Sequence, residues 1–370
     1  MDLHQDVVAI AAGLVDFPSV SGDEAALADA VEAALAEYGH LQVHRNGNTV
    51  VASTHLGRAQ RVIIGGHLDT VPPAGNTGAC IVRAGASAPV ADANGSTEAT
   101  EDRLYGIGSC DMKGGVAVQL RLAANITAPT RDVTYVFYDC EEIEATRNGL
   151  KRLVDTEPEL LAADFAVLME PSNAVVEAGC QGTIRIEVRT SGRRAHTARA
   201  WMGVNAIHAT AEILNILNDY APREVEIDGL VYREGLQAVA ISGGIAGNVV
   251  PDAAVVTINY RHAPSRSSAE AEAHLRAVFA GFDVTVVDHS EGALPGLAHP
   301  AAAAFVAATG ATPQPKFGWT DVARFSALGI PAVNFGPGDP TLAHAPNEYV
   351  RLRDLVAAEE QLTAWLTATD

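Results

Sequence analysis

The chain of 370 residues is longer than one hydrophobic core normally serves, so we expect two domains. A net charge of −20 argues against nucleic acid and anionic membranes as partners, because both favour basic surfaces. The sequence has no apolar run long enough to span a membrane, and the acidic segment Met1–Asp6 is unlike a secretory signal, so we expect a cytoplasmic protein.

The first 170 residues alternate helix and strand patterns. The predicted elements, in chain order, are helices at 5–16 and 23–38 (the second capped by Ser21–Glu24), strands at 50–53 and 61–66, a loop at 74–103, a helix at 114–125, a strand at 133–138, a helix at 148–156 and a strand at 165–169. This alternation predicts an α/β fold with a mostly parallel sheet.

The pattern changes between residues 182 and 290. The predicted elements there are a strand at 183–190, a helix at 205–219, strands at 236–242 and 253–261, a helix at 268–280 and a strand at 283–288. This β-α-β-β-α-β order is ferredoxin-like, so we predict an inserted α+β domain at 182–290. Residues 1–181 and 291–370 then form the catalytic domain, which closes with a helix at 299–309, a strand at 331–335 and a helix at 351–368.

Titratable side chains follow three of the predicted strands. His67 follows the strand at 61–66, Glu142 follows the strand at 133–138, and Glu170 follows the strand at 165–169. Because the carboxyl ends of parallel strands meet at one edge of a sheet, we expect these side chains to converge. Together with Asp111 and His344, they offer nitrogen and oxygen donors for two divalent cations bridged by one carboxylate. The set indicates metal-assisted hydrolysis.

Two further acids lie beside these candidate ligands. Asp69 is two residues from His67 and can accept the second N–H of its imidazole, which fixes the tautomer. Glu141 and Glu142 are adjacent and point in opposite directions in an extended segment, so one can bind metal while the other acts as a general base. Taken alone, the glutamate pair is more typical of an exposed acidic turn, which is common in a chain with a net charge of −20.

Five short sequence motifs resemble those of the dinuclear zinc amidohydrolases. This family includes deacetylases, aminoacylases, glutamate-releasing carboxypeptidases and desuccinylases. The motifs are Gly66–Pro72, Gly108–Gly115, Asp139–Glu142, Met169–Ser172 and Ala343–His344. The resemblance covers essentially the whole chain and is greatest to the actinobacterial form of the desuccinylases. It implies hydrolysis of an N-acyl amide, with N-succinyl-LL-2,6-diaminopimelate as the expected substrate. An acetylornithine deacetylase or small-peptide hydrolase is the alternative within the class, and a non-catalytic binding protein is the alternative outside it.

The resemblance also implies roles for individual residues. It places two Zn²⁺ ions, or Co²⁺ at one site, with His67 and Glu170 on one metal, Glu142 and His344 on the other, and Asp111 between them. Glu141 would be the general base, and Asp69 would orient His67. His196 would stabilise the oxyanion in the neighbouring active site of a homodimer that is joined through the inserted domain.

Substrate contacts are implied for four residues, namely Asn248, Arg261, Thr320 and Arg324. The expected substrate is a small anionic N-acyl amino acid, whose carboxylates arginine can bind with two parallel hydrogen bonds. One departure from the family bears on specificity. Many desuccinylases have a Gly-Arg-Arg-Gly segment where this chain has Gly179–Gly182 with Cys180 and Gln181, so Arg261, Arg324 or Arg185 would have to compensate.

Overall fold

The computed structural model describes residues 1–91 and 95–368, which divide into two compact units. The larger unit comprises Met1–Ala178, Gly296–Gln314 and Arg324–Asp370, and the smaller comprises Gly179–Pro295 and Pro315–Ala323. These boundaries lie a few residues from the predicted ones, except that Pro315–Ala323 was predicted with the catalytic domain. The segment belongs to the smaller unit because Trp319 Nε1 donates to the Glu291 carbonyl at 2.9 Å and Cys180 Sγ lies 3.7 Å from the Thr320 carbonyl.

The elements that precede residue 179 are α1 (Val7–Val15), α2 (Ala25–Leu35), β1 (Gln42–Asn46), β2 (Thr49–Ser53), β3 (Arg61–His67), β4 (Cys80–Val82), β5 (Arg103–Tyr105), α3 (Lys113–Asn125), β6 (Asp132–Tyr138), α4 (Gly149–Thr156), β7 (Phe165–Leu168) and β8 (Glu177–Ala178). A short 3₁₀ turn spans Pro158–Leu161. The predicted loop at 74–103 contains β4 and the start of β5, which pair with each other, and its residues 92–94 lie outside the described residues.

The following elements are β9 (Gly182–Ser191), α5 (Ala206–Asp219), β10 (Glu224–Ile227), β11 (Leu230–Arg233), β12 (Gly235–Gly243), β13 (Ala253–His262), α6 (Ser268–Val278) and β14 (Asp283–Ser290). The chain ends with α7 (Pro300–Thr309), β15 (Gln314–Pro315), α8 (Val322–Ala327), β16 (Ala332–Asn334), β17 (Tyr349–Arg351) and α9 (Leu352–Thr367). Two 3₁₀ turns span Thr197–Met202 and Pro340–Leu342. No helix in the described parts of the chain is long and apolar enough to cross a membrane.

The larger unit is built on a mixed sheet of eight strands in the order β1-β2-β6-β3-β7-β16-β8-β15. The four central strands β6, β3, β7 and β16 run parallel, whereas β1, β2 and β8 pair antiparallel. β6 and β7 are buried along their whole length, as expected for parallel strands covered on both faces. The predicted α/β class with a mostly parallel sheet is confirmed.

Helix α3 packs very closely against the ends of the central strands. A Cβ atom on Gly115 would lie 2.3 Å from the Met169 carbonyl oxygen, so only glycine fits there. α3 is preceded by Asp111, and Met169 is followed by Glu170. The close approach therefore brings two predicted metal ligands from separate segments to the same place.

The smaller unit contains an antiparallel four-stranded sheet in the order β12-β13-β9-β14. Its core joins the sheet to α5 and α6 through residues such as Val256, Ile213 and Leu275. The chain follows the predicted β-α-β-β-α-β order, with the hairpin β10–β11 added after α5. The predicted α+β arrangement of this segment is confirmed.

Candidate metal centre

The carboxyl ends of three neighbouring strands deliver predicted site residues to one edge of the large sheet. His67 is the last residue of β3, β6 ends three residues before Glu141, and β7 ends two residues before Glu170. β3 pairs in parallel with both other strands, and His67 lies opposite Tyr138 in that register. Parallel pairing without an intervening strand is what brings residues so distant in sequence together.

Two groups of three potential ligands lie at this edge, and they share one residue. His67, Asp111 and Glu170 each place a ligand atom within 4.8 Å of the others, and Asp111, Glu142 and His344 do the same. His67 Nε2 lies 3.1 Å from one Asp111 oxygen, and His344 Nε2 lies 3.4 Å from the other. The Asp111 carboxylate therefore lies between the two groups.

The two histidines are held by carboxylates. Burial lowers the pKa of His67, but hydrogen bonds to Asp111 and Asp69 outweigh this effect and raise the pKa well above its usual value. Hydrogen bonds to Asp111 and Glu142 raise the pKa of His344 to about 10. Both imidazoles thus take up protons that balance the surrounding carboxylates when no cation is present. Metal binding at such a place displaces these protons.

The donor set suits divalent cations of the zinc type. Its three carboxylates and two imidazoles are the ligands that zinc accepts, and the carboxylates outnumber the histidines, so the groups favour positive charge. His67 is almost fully buried, whereas His344 is half exposed. The His344 side of the centre is therefore open to solvent.

Asp69 acts on the neighbouring loop as well as on His67. Its two oxygens accept the backbone N–H groups of Glu141 at 3.0 Å and Glu142 at 3.1 Å, and Ser21 Oγ donates to it at 2.7 Å. His67 Nδ1 lies 3.0 Å from the backbone carbonyl of Asp69 and 3.5 Å from its carboxylate. Sequence reasoning predicted the imidazole contact but not the contact to the loop.

Glu141 lies beside the candidate ligands in a partly exposed position. His67, Glu141 and Glu142 form a further group with ligand atoms within 4.8 Å of one another. The sequence predicted that the two glutamates point in opposite directions, whereas the structure brings an oxygen of each close to His67. The left-handed conformation of Cys140, with φ 56°, turns the chain directly before them.

A fourth group, Glu24, Asp139 and Cys140, is a structural network. The Asp139 carboxylate accepts hydrogen bonds from Thr49 at 2.6 Å and Arg152 at 2.7 Å, which occupy it. Glu24 accepts the backbone N–H of Cys140 at 3.2 Å. The prediction that Ser21–Glu24 caps α2 with a side chain is wrong, because Glu24 turns towards Cys140 and makes no cap hydrogen bond.

His196 and Asn248 lie together in the smaller unit. The Thr197 N–H donates to the Asn248 carbonyl at 3.0 Å, and His196 pairs with Val249 in an isolated bridge. His196 Nδ1 accepts the backbone N–H of Ala198 at 3.0 Å, so the neutral ring carries its proton on Nε2. The exposed imidazole can therefore donate a hydrogen bond through Nε2.

The remaining candidates for substrate binding differ in their surroundings. Arg261 is partly buried, burial lowers its pKa, and no carboxylate in the described parts of the chain forms an ion pair with it. Arg185 instead pairs with Asp288. Thr320 is buried in the smaller unit, and Arg324 lies on α8 in the larger unit. Of the three arginines considered as replacements, Arg261 is thus available within the smaller unit, where Arg185 is occupied.

Sequence reasoning missed Ser21 and Glu348. Ser21 binds Asp69, and Glu348 accepts the backbone N–H groups of Cys110 and Asp111. No local pattern marked Glu348, which lies four residues after His344 and is followed by Tyr349-Val350-Arg351. Burial raises the pKa of Glu348 to about 7.

Comparison with known proteins shows the class to which this fold and site belong. The sequence model of peptidase family M20/M25/M40 matches residues 63–368, so the chain belongs to this family. The family consists of metallopeptidases, and this chain is a hydrolase. The resemblance inferred from the five motifs is confirmed.

Relatives at higher identity narrow the comparison. A Mycobacterium tuberculosis protein, provisionally named succinyl-diaminopimelate desuccinylase DapE, is 50% identical over 369 residues, which are 99% of each chain. A succinyl-diaminopimelate desuccinylase from Corynebacterium glutamicum is 40% identical over an alignment of 378 positions, which covers 99% of this chain and 98% of that protein. The solved structure of a tripeptidase from Staphylococcus aureus covers 99% of this chain and 98% of its own with a TM-score of 0.76. At 20% identity, that likeness shows the shared fold.

Proposed function

We propose that the protein hydrolyses N-succinyl-LL-2,6-diaminopimelate to succinate and LL-2,6-diaminopimelate in the cytoplasm, with two zinc ions held at the candidate metal centre. The observation that carries the metal-dependent reaction is the pair of ligand groups that share Asp111. The two desuccinylases that match this chain over nearly its full length support the substrate.

The proposed ligands divide into two sets with one residue in common. They are His67 and Glu170 for one metal, Glu142 and His344 for the other, and Asp111 for both. When bound, the metal pair lowers the pKa of a water molecule and polarises the amide carbonyl. Cobalt is an alternative at one site, since both metals accept these ligands.

Glu141 is the proposed general base. It takes a proton from the attacking water molecule as the new C–O bond forms at the amide carbon. It then gives this proton to the leaving nitrogen as the C–N bond breaks, which releases the amine and a carboxylic acid, and the acid becomes a carboxylate by losing the second proton of the water molecule to solvent. Asp69 holds the Glu141 backbone, so the base keeps its place while it gains and loses the proton.

His196 is proposed to stabilise the oxyanion in the active site of a partner subunit. Its exposed Nε2–H is a suitable donor because Nδ1 is already occupied by the Ala198 N–H. The proposed homodimer joins through β12, which is an edge strand of the smaller sheet. Val239 and Ile241 on this strand are 58% and 54% exposed, and an apolar edge of this kind pairs readily with a second copy.

Arg261 is proposed to bind the succinyl carboxylate. It is partly buried and lacks an acidic partner among the described residues, so an anionic substrate group would satisfy it. Asn248, Thr320 and Arg324 remain proposed contacts for the rest of the substrate. In this proposal, Arg261 alone binds the carboxylate that many desuccinylases bind with the two arginines replaced here by Cys180 and Gln181.

Side-by-side hydrolysis of N-succinyl-LL-2,6-diaminopimelate, N-acetylornithine and a small dipeptide by the zinc-loaded protein tests the proposal. We expect kcat/KM to be highest for the succinylated substrate. Faster hydrolysis of N-acetylornithine or the dipeptide would contradict the assigned substrate, and no hydrolysis of any of the three would contradict the assigned reaction.

A further inference from the structure

Glu348 is a buried carboxylate outside the proposed ligands and base. It lies four residues after His344 and directly before β17, and only 1% of its surface is exposed. A carboxylate at such a depth must be hydrogen-bonded, because an unpaired buried charge strongly destabilises the folded state. The hydrogen-bond partners of Glu348 therefore indicate which part of the structure its carboxylate stabilises.

The partners of Glu348 belong to the loop that carries Asp111. Glu348 Oε1 accepts the backbone N–H of Cys110 at 2.9 Å and that of Asp111 at 3.1 Å, and the Gly108 N–H also donates to the carboxylate. The Glu348 carbonyl in turn accepts the Gly106 N–H at 3.3 Å. A single residue thus binds most of the loop between β5 and α3.

This loop sets the position of the shared ligand. The Asp111 side chain is short, so the place of its carboxylate between His67 and His344 depends on where its backbone lies. Glu348 accepts the N–H of the peptide group between Cys110 and Asp111, so it fixes the backbone directly before the Asp111 side chain. Asp69 binds the loop of Glu141 and Glu142 in the same way, through two backbone N–H groups.

We propose that Glu348 is a positioning residue, which fixes the backbone of Asp111 and so sets the affinity of the centre for its metals. The inference rests on the proposed function, because it assumes that Asp111 is a metal ligand. It assigns Glu348 no contact with substrate or metal, and its effect passes entirely through the loop.

Two substitutions separate the hydrogen bonds from the charge. Glu348→Ala removes the acceptor, whereas Glu348→Gln keeps an oxygen that accepts more weakly than a carboxylate. Asp132 provides the matched control, because it is also buried and accepts the backbone N–H groups of Leu56 at 2.7 Å and Arg58 at 2.9 Å. It lies at the start of β6, about 20 Å from the end of that strand that faces the centre.

The measurements are the zinc dissociation constant, from competition with a chromophoric chelator, and the visible spectrum of the Co²⁺-loaded protein. We expect Glu348→Ala to weaken zinc binding by about 10- to 100-fold and to alter the Co²⁺ spectrum. Glu348→Gln should weaken binding by about 3- to 10-fold, between the wild type and the alanine variant. Asp132→Ala should lower the melting temperature and leave both metal measurements unchanged.

Wild-type zinc affinity and an unchanged spectrum in Glu348→Ala would overturn the proposal. If that variant does not fold, the same result in Glu348→Gln overturns it. Asp111→Asn separates this failure from failure of the proposed function. If Asp111→Asn loses zinc while the Glu348 variants keep it, only the positioning role is wrong, whereas a wild-type protein that binds no zinc contradicts both.

Discussion

The Asp69 carboxylate accepts the backbone N–H of Glu142 at 3.1 Å, so an acid at the end of β3 holds a proposed ligand at the end of β6. Its other oxygen accepts the N–H of Glu141 at 3.0 Å. The same residue contacts His67 through its backbone carbonyl and carboxylate. Asp69 therefore contacts both the proposed base and two proposed metal ligands, and it fixes their positions relative to one another.

Glu141→Gln should retain metal and lose most turnover. The substitution preserves size and the backbone contact to Asp69, but the amide cannot take a proton from water. We expect kcat to fall by about 100- to 10,000-fold with unchanged zinc content. Steady-state kinetics with metal analysis of the same samples measure both, and near-normal kcat in the zinc-loaded variant would show that another group is the base.

Mixing two inactive variants should restore activity if His196 acts in the partner's active site. Combining His196→Ala with Glu141→Gln gives a mixed dimer in which one of the two sites contains both intact residues. After random exchange of subunits, we expect about one quarter of wild-type activity. Each variant mixed with itself is the control, and no recovery after demonstrated exchange would contradict sharing between subunits.

Arg261→Met should reduce the preference for a succinyl group. Losing a charge-assisted hydrogen bond to the carboxylate should lower kcat/KM for the succinylated substrate by about 10- to 100-fold. Hydrolysis of the acetylated analogue, which lacks this carboxylate, should change little. Arg185→Met is the matched control, since Arg185 lies on the same sheet and pairs with Asp288. An equal loss on both substrates would indicate a general rather than a specific role.

Glu234 should make the free energy of unfolding of the smaller unit depend on pH in the acidic range. Burial raises its pKa, but hydrogen bonds from Arg223, Tyr260 and the Ala263 N–H outweigh this effect and lower the pKa to about 2. Because the pKa is lower in the folded state, the stabilisation is present above about pH 4.5 and is lost as the pH falls towards 2. Glu234→Gln should therefore be less stable by about 2 kcal/mol at pH 7, with a smaller difference from wild type at pH 3.5.

Urea unfolding at the two pH values measures this difference. Glu272→Gln is the control, since Glu272 pairs with Arg276 on an exposed helix surface and should change stability by less than about 0.5 kcal/mol. A Glu234→Gln difference that is the same at both pH values would show that the ionised carboxylate is not the source of the stabilisation.

The sequence predicted the strand-end residues of the site better than the residues that hold them. His67, Glu142 and Glu170 each follow a buried strand, and the geometry of parallel sheets brings such positions together. Asp111 and His344 come from loops, so strand geometry did not place them, and only the family resemblance indicated which metal each of them would bind. Glu348 carried no local sign of burial, because its partners are backbone groups more than 200 residues away.

In the smaller unit, too, one feature has a local sequence signal and another depends on contacts between distant residues. The hairpin β10–β11 turns at Asp228–Gly229, a dipeptide that favours hairpins, so local sequence contained a signal that the prediction missed. The assignment of Pro315–Ala323 to this unit depends on contacts such as that between Trp319 and the Glu291 carbonyl. No local pattern encodes a contact of that kind.

Titration of the metal-free protein with zinc, with activity and bound metal measured at each point, tests the shared-carboxylate centre most directly. We expect hydrolysis of the succinylated substrate to be absent without metal and to reach its maximum at two bound zinc ions per chain. Asp111→Asn should lower the affinity of both sites, since the two ligand groups have that residue in common. Full activity in the metal-free protein, or an Asp111→Asn variant that binds two zinc ions with wild-type affinity, would contradict the proposed centre.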